Sequence, residues 1–334
     1  HQAGTVGFRT PEQPVDWETM VRRMDGFGGL YKHTQKTIVK RLLDTYTRAA
    51  ESRWPEYVPP PPPTGFAAKV KINEWDMGIP LKANVHDLEP GPPGTMYAVD
   101  MGQGAIVELD IETGQRTVYR MPPGARAPHS IEPDNDGNYW VTLCASGHMG
   151  KFDPKTTDIT IWSSAEAPAK NGSYPHTLRV NPKDQEGLIW YTDAGRNSVF
   201  YIHPKTGFVK EYHLLEKNQA VAAGKGESRG LTPYGLDFAP DGSVWYSKLN
   251  ANRIGRIDPK APDGDIKEWN PPFRGPRRHH VDQDGIVWVP GFGSGVLGRF
   301  DPKTEKWTTY ALPDYDNQIP YALNIDAKGI VWIC

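Results

Sequence analysis

Cysteine is almost missing from this chain: Cys144 and Cys334 are the two in 334 residues, and their separation matches neither a zinc-ligand pair nor a redox pair. Metal-stapled and dithiol folds are thereby set aside. Long apolar runs are missing too, because Gly, Pro or a charge interrupts each one within about 8 residues, far short of a membrane span. An excess of one charge is also lacking, since 38 Lys and Arg face 40 Asp and Glu for a formal net charge of −2. Both signs are dispersed, so the chain has no electrostatic footprint for nucleic acid or an anionic membrane. The first residue is His1, and Cys334 falls inside a motif that elsewhere continues, so we expect further sequence on both sides.

What is abundant is repetition, which has to be read before any single element. The unit runs Pro-His/Tyr-x-Leu/Ile, an Asp-Gly turn, an aromatic strand reaching Trp, then Ile/Met-Gly-Lys/Arg-Phe-Asp-Pro-Lys. One copy holds Pro128-His129-Ser130-Ile131, Asp136-Gly137, Trp140 and Met149-Gly150-Lys151-Phe152-Asp153-Pro154. Others pass through His176 and Trp190, Tyr234 and Trp245, and Asp284-Gly285 with Trp288; a further one begins at Pro320-Tyr321 with Trp332. The first copy is weaker, with His86, Leu88 and Tyr97 in the place of Trp. Asp-Gly supplies the positive φ of a tight hairpin, and Trp, Tyr and Val suit a half-buried pleat. Four short antiparallel strands per unit follow, and units of this length stack radially. The fold class expected is therefore all-β, a β-propeller with five full copies and the start of a sixth, seven blades in all with the last ones beyond Cys334. Residues 69–75 read as an outer strand that latches the ring.

Ahead of the propeller the pattern changes. Trp17, Met20, Val21 and Met24 fall on one helical stripe, and Ile38, Val39, Leu42, Leu43 and Tyr46 on another, which predicts two short amphipathic helices. The proline run at 59–63 is a stiff spacer. The expected organisation is an α-helical unit over 1–58, a linker over 59–66 and the propeller over 67–334.

In a propeller the inner strand of every blade borders one central channel, so residues at its start gather at one mouth. The second position of Pro-x-x-Leu carries His129, His176, Tyr234 and Tyr321, with His86 and either His279 or His280 in the irregular copies. Converging imidazoles can act as bases, ligate a metal or hold an anion; filling the mouth and bonding a neighbouring blade is the plainer alternative. The stretch Arg277-Arg278-His279-His280 departs most from the repeat, which marks it as a candidate ligand contact or a solvated loop.

These motifs resemble the streptogramin B lyase family, sevenfold propellers with Pro-His-x-Ile and Ile-Trp-Phe-Thr-Glu signatures, over about residues 85–334. The resemblance implies ring opening of a cyclic depsipeptide by elimination, with a His removing the proton beside the ester carbonyl and Mg2+ held near a Glu. His129 and His176 match the Pro-His blades. Three residues beyond each Trp the chain has Leu143, Asp193, Lys248 and Gly291, so Asp193 alone keeps a carboxylate there. The candidate catalytic set is His129, His176 and Asp193, with His86, Tyr234, Arg278, His279, His280 and Tyr321 as ligand contacts. The N-terminal segment looks like the distal part of a small c-type cytochrome domain, which implies His1 as the last residue of a haem-attachment signature and Met24, with Met20 in reserve, as axial ligand. Together these imply an extracytoplasmic, periplasmic or secreted, haem-associated propeller. It would bind a small-molecule or protein ligand at the channel mouth and serve as a binding or electron-transfer subunit with a redox partner or larger assembly. Magnesium-dependent C–O lyase activity on a cyclic depsipeptide or related ester, or a purely scaffolding role, are the other expectations.

Overall fold

The computed structural model describes residues 83–163, 172–181, 184–214, 232–313 and 319–334, together with scattered positions between 62 and 77. Two compact units divide the chain at Glu74 and Trp75. In the first, the described residues form one 3-10 turn at Ala67–Lys69. Lys71, Asn73 and Glu74 lie in no strand, nor does Trp75 at the start of the second unit. The outer strand expected over 69–75 is therefore absent among its described residues. Helices expected within 15–53 lie outside the described residues.

The second unit is a series of antiparallel meanders. The first sheet is β1 (Val85–Pro90), β2 (Thr95–Asp100), β3 (Ala105–Asp110) and β4 (Arg116–Arg120). The second is β5 (Pro128–Pro133), β6 (Tyr139–Leu143), β7 (His148–Phe152) and β8 (Ile159–Ser163). Then come β9 (Pro175–Val180), β10 (Ile189–Asp193), β11 (Ser198–Ile202) and β12 (Val209–His213), followed by β13 (Pro233–Phe238), β14 (Val244–Lys248), β15 (Arg253–Ile257) and β16 (Lys267–Trp269). The fifth sheet holds β17 (His280–Val281), β18 (Val287–Gly291), β19 (Val296–Asp301) and β20 (Lys306–Ala311), and β21 (Leu323–Ile325) pairs with β22 (Val331–Ile333) in a sixth. Strands within each sheet are ordered as in sequence. Five four-stranded sheets and the start of a sixth are what the repeats predict, and the fold is an all-β propeller.

Each recurring residue has a job in this arrangement. Trp140 of the second sheet is fully buried among Leu178, Ile189 and Tyr191 of the third. Trp190 enters the core of the fourth sheet, Trp245 that of the fifth, and Tyr97 of the first sheet that of the second. Aromatic bulk at this point is thus the cement between neighbouring sheets, each ring removing ~150–250 Å² from water. Asp134 accepts the Trp140 indole N–H at 3.0 Å while also capping its hairpin through the N–H groups of Asp136 and Asn138. Asp282 with Trp288 and Asp326 with Trp332 repeat the device. Gly137 closes that hairpin at φ 84°, a conformation costly for any residue with a Cβ.

The inner strands β1, β5 and β13 each bulge between their first and fourth residues, and β9 shows the same irregularity against β10. In the second sheet Pro128 faces Leu143 and Ile131 faces Val141, so two residues oppose Thr142 alone. That leaves backbone groups without ladder partners. A hydroxyl fills the gap. Thr142 accepts the Ser130 N–H at 3.0 Å and donates at 2.8 Å to the His176 carbonyl of the next sheet. Thr192 does the same between Thr177 N–H and the Tyr234 carbonyl, and Ser247 between Gly235 N–H and the Arg277 carbonyl. These hydroxyls latch sheet to sheet directly behind the channel mouth.

Candidate functional site

The latches place the second residue of every inner strand on a common tier. Ring centroids of His86 and His129 lie 3.7 Å apart, those of His129 and His176 4.2 Å, and those of His176 and Tyr234 3.9 Å. Tyr321, from the sixth sheet, meets Tyr234 hydroxyl to hydroxyl at 2.8 Å. Register assigns the fifth sheet's member: Pro276 bridges Gly291 as Pro233 pairs with Lys248, so Arg277 follows in the place of Tyr234. Its guanidinium lies 3.7 Å from the Tyr321 ring centroid, 3.9 Å from Phe292 and 4.7 Å from Tyr234. Six sheets thus contribute three imidazoles, two phenols and a guanidinium to one cluster.

One chain of hydrogen bonds threads it, and its direction is fixed from the far end, where the His129 carbonyl can only accept, so the neutral His86 ring donates from Nδ1 and accepts at Nε2. Arg277 Nη2 donates to Tyr234 Oη at 2.6 Å, and Tyr234 donates to Tyr321 Oη, whose own proton is committed to His86. Tyr321 then donates to His86 Nε2 at 3.3 Å, and His86 Nδ1 donates to the His129 carbonyl at 2.9 Å. That last bond does in the first sheet what Thr142, Thr192 and Ser247 do elsewhere, because Val99 stands at the hydroxyl position. His86 is therefore a latch as well as a lining residue.

Burial dominates the electrostatics. It holds His129 down to about 3, with the neighbouring His86 and Arg278 adding to the effect. His176 is held well below its ordinary value by burial and then by His129, and His86 is lowered chiefly by burial. All three are neutral imidazoles at pH 7. Arg278 sits beside them and reaches Asp87 of the first sheet, Nη1 to Oδ1, at 2.6 Å. Burial by itself would raise the Asp87 carboxyl, but the charge and hydrogen bond of Arg278 outweigh it and hold the group low. His129 Nδ1, Arg277 Nε, and Arg278 Nε and Nη2 are buried without a hydrogen-bond partner among the described residues.

Other predicted residues lie elsewhere. Asp193 sits at the end of β10 and spends its carboxylate on the loop, accepting from Ser173 Oγ, Tyr174 N, Gly195 N and Arg196 N at 2.5, 2.8, 2.9 and 3.0 Å. None of these bonds reaches His129 or His176, and Asp100 clamps the corresponding loop of the first sheet in the same manner. His279 takes the place of the repeat's buried Leu, alongside Leu236 and Leu178, and is 1% exposed. Gly235 makes room for this segment: a Cβ there would lie 2.6 Å from the Arg277 carbonyl and 3.0 Å from His279 Nδ1. His280 is on a deeper tier, 3.1 Å from Asp237, where Glu132 pairs with Arg179 and Glu89 faces Glu132. Arg277 belongs to the irregular stretch of the sequence, and the structure puts it on the tier in place of the expected His279 or His280. The interval to the following Trp would have found it, since Arg277 precedes Trp288 by the same number of residues as His129 precedes Trp140 and Tyr234 precedes Trp245.

A cavity of about 430 Å³ opens beside the tier, lined by Arg126, Cys144, Ser146, Ser173, Tyr174 and Thr232. The Tyr174 ring stacks over His176 with centroids 6.2 Å apart, so one lining residue of the cavity borders the tier. Cys144 and Cys334 are both free thiols.

The described residues do not fit Mg2+. No three His, Cys, Asp or Glu side chains gather around a common point among the described residues, and the tier's neighbouring carboxylate, Asp87, is held by Arg278. Hard cations need several oxygen ligands. His1, Met20 and Met24, the axial candidates for a c-type haem, lie outside the described residues. No helix among the described residues is long and apolar enough to cross a bilayer.

No family model matches the chain. Virginiamycin B lyase of Nocardia farcinica is 31% identical over 137 residues, which is 41% of this chain and 38% of that protein, so the chain spans well under half of the curated relative's length in the match. Among solved structures, a catalytically inactive virginiamycin B lyase from Staphylococcus aureus with quinupristin superposes with a TM-score of 0.64 at 22% identity, over 78% of this chain and 80% of that one. A streptogramin B lyase structure gives 0.63 at 24% identity, over 79% and 80%. The body described here is accordingly a virginiamycin B lyase-like β-propeller.

Proposed function

We propose that this protein is a ligand-binding propeller whose site is the channel mouth, with the ligand on the His86–His129–His176–Tyr234–Tyr321 tier and its bulk in the cavity beside Tyr174. The observation that carries the reading is that side chains from six sheets meet on one tier while leaving buried polar atoms, His129 Nδ1 among them, without partners. Buried polar groups are paired in the great majority of native sites, and exceptions mark places where something else completes the set. Proton abstraction is the second reading, favoured by the neutral imidazoles of His129 and His176. A base works best with a pKa near the working pH, and His129 at about 3 is far from that. Binding is therefore placed ahead of lyase chemistry.

The test follows the imidazole 15N signals of the full chain by NMR while a panel of charged and uncharged small molecules, quinupristin included, is added. Movement of the His129 and His176 signals by at least one compound supports the reading, and no movement with any compound ends it. Ring opening of quinupristin, followed by its chromatographic retention and lost in His129→Ala or His176→Ala, would move the second reading ahead of the first. A haem association, with electron transfer to a partner, is a separate proposal that rests on the sequence around His1 and Met24. Sharp absorption bands on dithionite reduction of the protein with its native N-terminus would support it, and a featureless spectrum would remove it.

A further inference from the structure

The channel-mouth tier has one charged pair and one cation too many. Arg278 has Asp87 as its counter-ion, bonded through Nη1. Arg277 has no carboxylate partner among the described residues; it meets one phenol oxygen and three aromatic faces, those of Tyr234, Phe292 and Tyr321. The carboxylates of the deeper tier are engaged already, Glu132 by Arg179 and Asp237 by His280 and the Val281 N–H. Glu89 lies in the field of Glu132 and Arg179 of that deeper tier. The neighbouring imidazoles carry no charge at neutral pH, so nothing else in the cluster offsets the second guanidinium.

Three N–H donors on these two residues, Arg277 Nε and Arg278 Nε and Nη2, are buried and have no partner among the described residues. A guanidinium is always charged and presents its donors in a fixed fork suited to a planar or tetrahedral oxyanion. The aromatic faces around Arg277 hold its plane in one orientation, so the fork is set before any ligand arrives. Position matters as well: among the six described sheets, the second inner-strand residue is a cation here in place of His or Tyr.

We infer that the ligand of the channel mouth carries an oxyanion, a carboxylate or a phosphate, which Arg277 and Arg278 bind together through their free N–H groups. This rests on the reading of the mouth as a ligand site and names the chemical class of its ligand. The body of the ligand lies toward Tyr174 and the adjoining cavity, where Arg126 and Ser146 line the wall.

The experiment titrates inorganic phosphate and succinate into the full chain at constant ionic strength, reading heat by calorimetry and the imidazole 15N signals by NMR. Either anion is expected to bind with displacement of the His86 and His129 signals. R277Q and R278Q should each weaken it at least tenfold, with R277K recovering part of the loss. Phosphate alone or succinate alone identifies which oxyanion the fork takes. If both anions leave the signals still while uncharged compounds of the panel move them, the anion inference falls and the ligand site stands. If nothing moves them, both fall. Anion binding of equal strength in the two Gln variants also overturns the inference, because the anion then sits elsewhere. Should a Gln variant fail to fold by circular dichroism, the wild-type titration still decides, since an anion on the fork must move the imidazole signals.

Discussion

His279→Leu should make the protein more stable, and increasingly so as the pH falls. His279 occupies the core position held by Leu178 and Leu236 in the neighbouring sheets, so a leucine there has the packing that the repeat already accommodates. Neither ring nitrogen of His279 has a hydrogen-bond partner among the described residues, and an unsatisfied buried polar atom costs on the order of 1–3 kcal/mol. The carbonyls of Arg277 and Trp245 lie near enough to act electrostatically. We therefore take the lower part of that range, about 1–2 kcal/mol at pH 7. Burial also holds the imidazole down to about 4, against 6.5 in the unfolded chain. Between those values the unfolded state binds the proton and the folded state does not. The stability associated with the neutral ring is present above pH 6.5 and is lost as the pH drops toward 4. At pH 5 the linkage loss is about 2 kcal/mol, which leucine abolishes. Urea unfolding of wild type and variant at pH 7 and pH 5 measures both terms, with an expected gap of about 3–4 kcal/mol at the lower pH. A variant less stable than wild type at both pH values, or a gap that does not widen on acidification, would falsify this account of His279.

Two further outcomes test the framework of the mouth. Thr192→Val removes the hydroxyl between the Thr177 N–H and the Tyr234 carbonyl; the two backbone groups then lose their partner in a buried place, and thermal unfolding should register a loss of about 1–3 kcal/mol. An unchanged melting temperature would mean that the latch contributes nothing. Glu89 is raised to about 7, by burial first and by Glu132 second. A raised carboxyl stabilises the fold fully below its unfolded value and loses that contribution as the pH climbs through 7. Glu89→Gln should accordingly flatten the decline in stability from pH 5 to pH 8 by roughly 2 kcal/mol after allowance for solvent screening, as read by calorimetric melting across that range; a parallel profile would show that Glu89 titrates normally.

The repeats were legible because each rests on local chemistry: hairpin glycines such as Gly137, Asp caps such as Asp134, and a Trp that must bury itself in the next sheet. From these the strand order and the tier of His86, His129, His176, Tyr234 and Tyr321 follow. What stayed out of sight depends on contacts across the ring. Asp193 looked like a carboxylate aimed at the imidazoles, yet its loop needed four donors satisfied at close range. His279 and His280 looked like the fifth sheet's contribution because histidine recurs on the tier, whereas register gives that place to Arg277. Nothing local in the sequence announced that Asp87 and Arg278 would meet, 191 residues apart.

The hydroxyl latches bear on how such a ring can change. Thr142, Thr192 and Ser247 grip the carbonyl of the second inner-strand residue of the next sheet, never its side chain. The carbonyl is the same whether that residue is His176, Tyr234 or Arg277. Each blade therefore offers a socket whose mechanical attachment is indifferent to what is plugged into it. A new chemistry at the mouth can be assembled one side chain at a time while the ring beneath remains fastened. The exception is His86, whose ring is itself the fastener to the second sheet, and there a change of lining is also a change of joint.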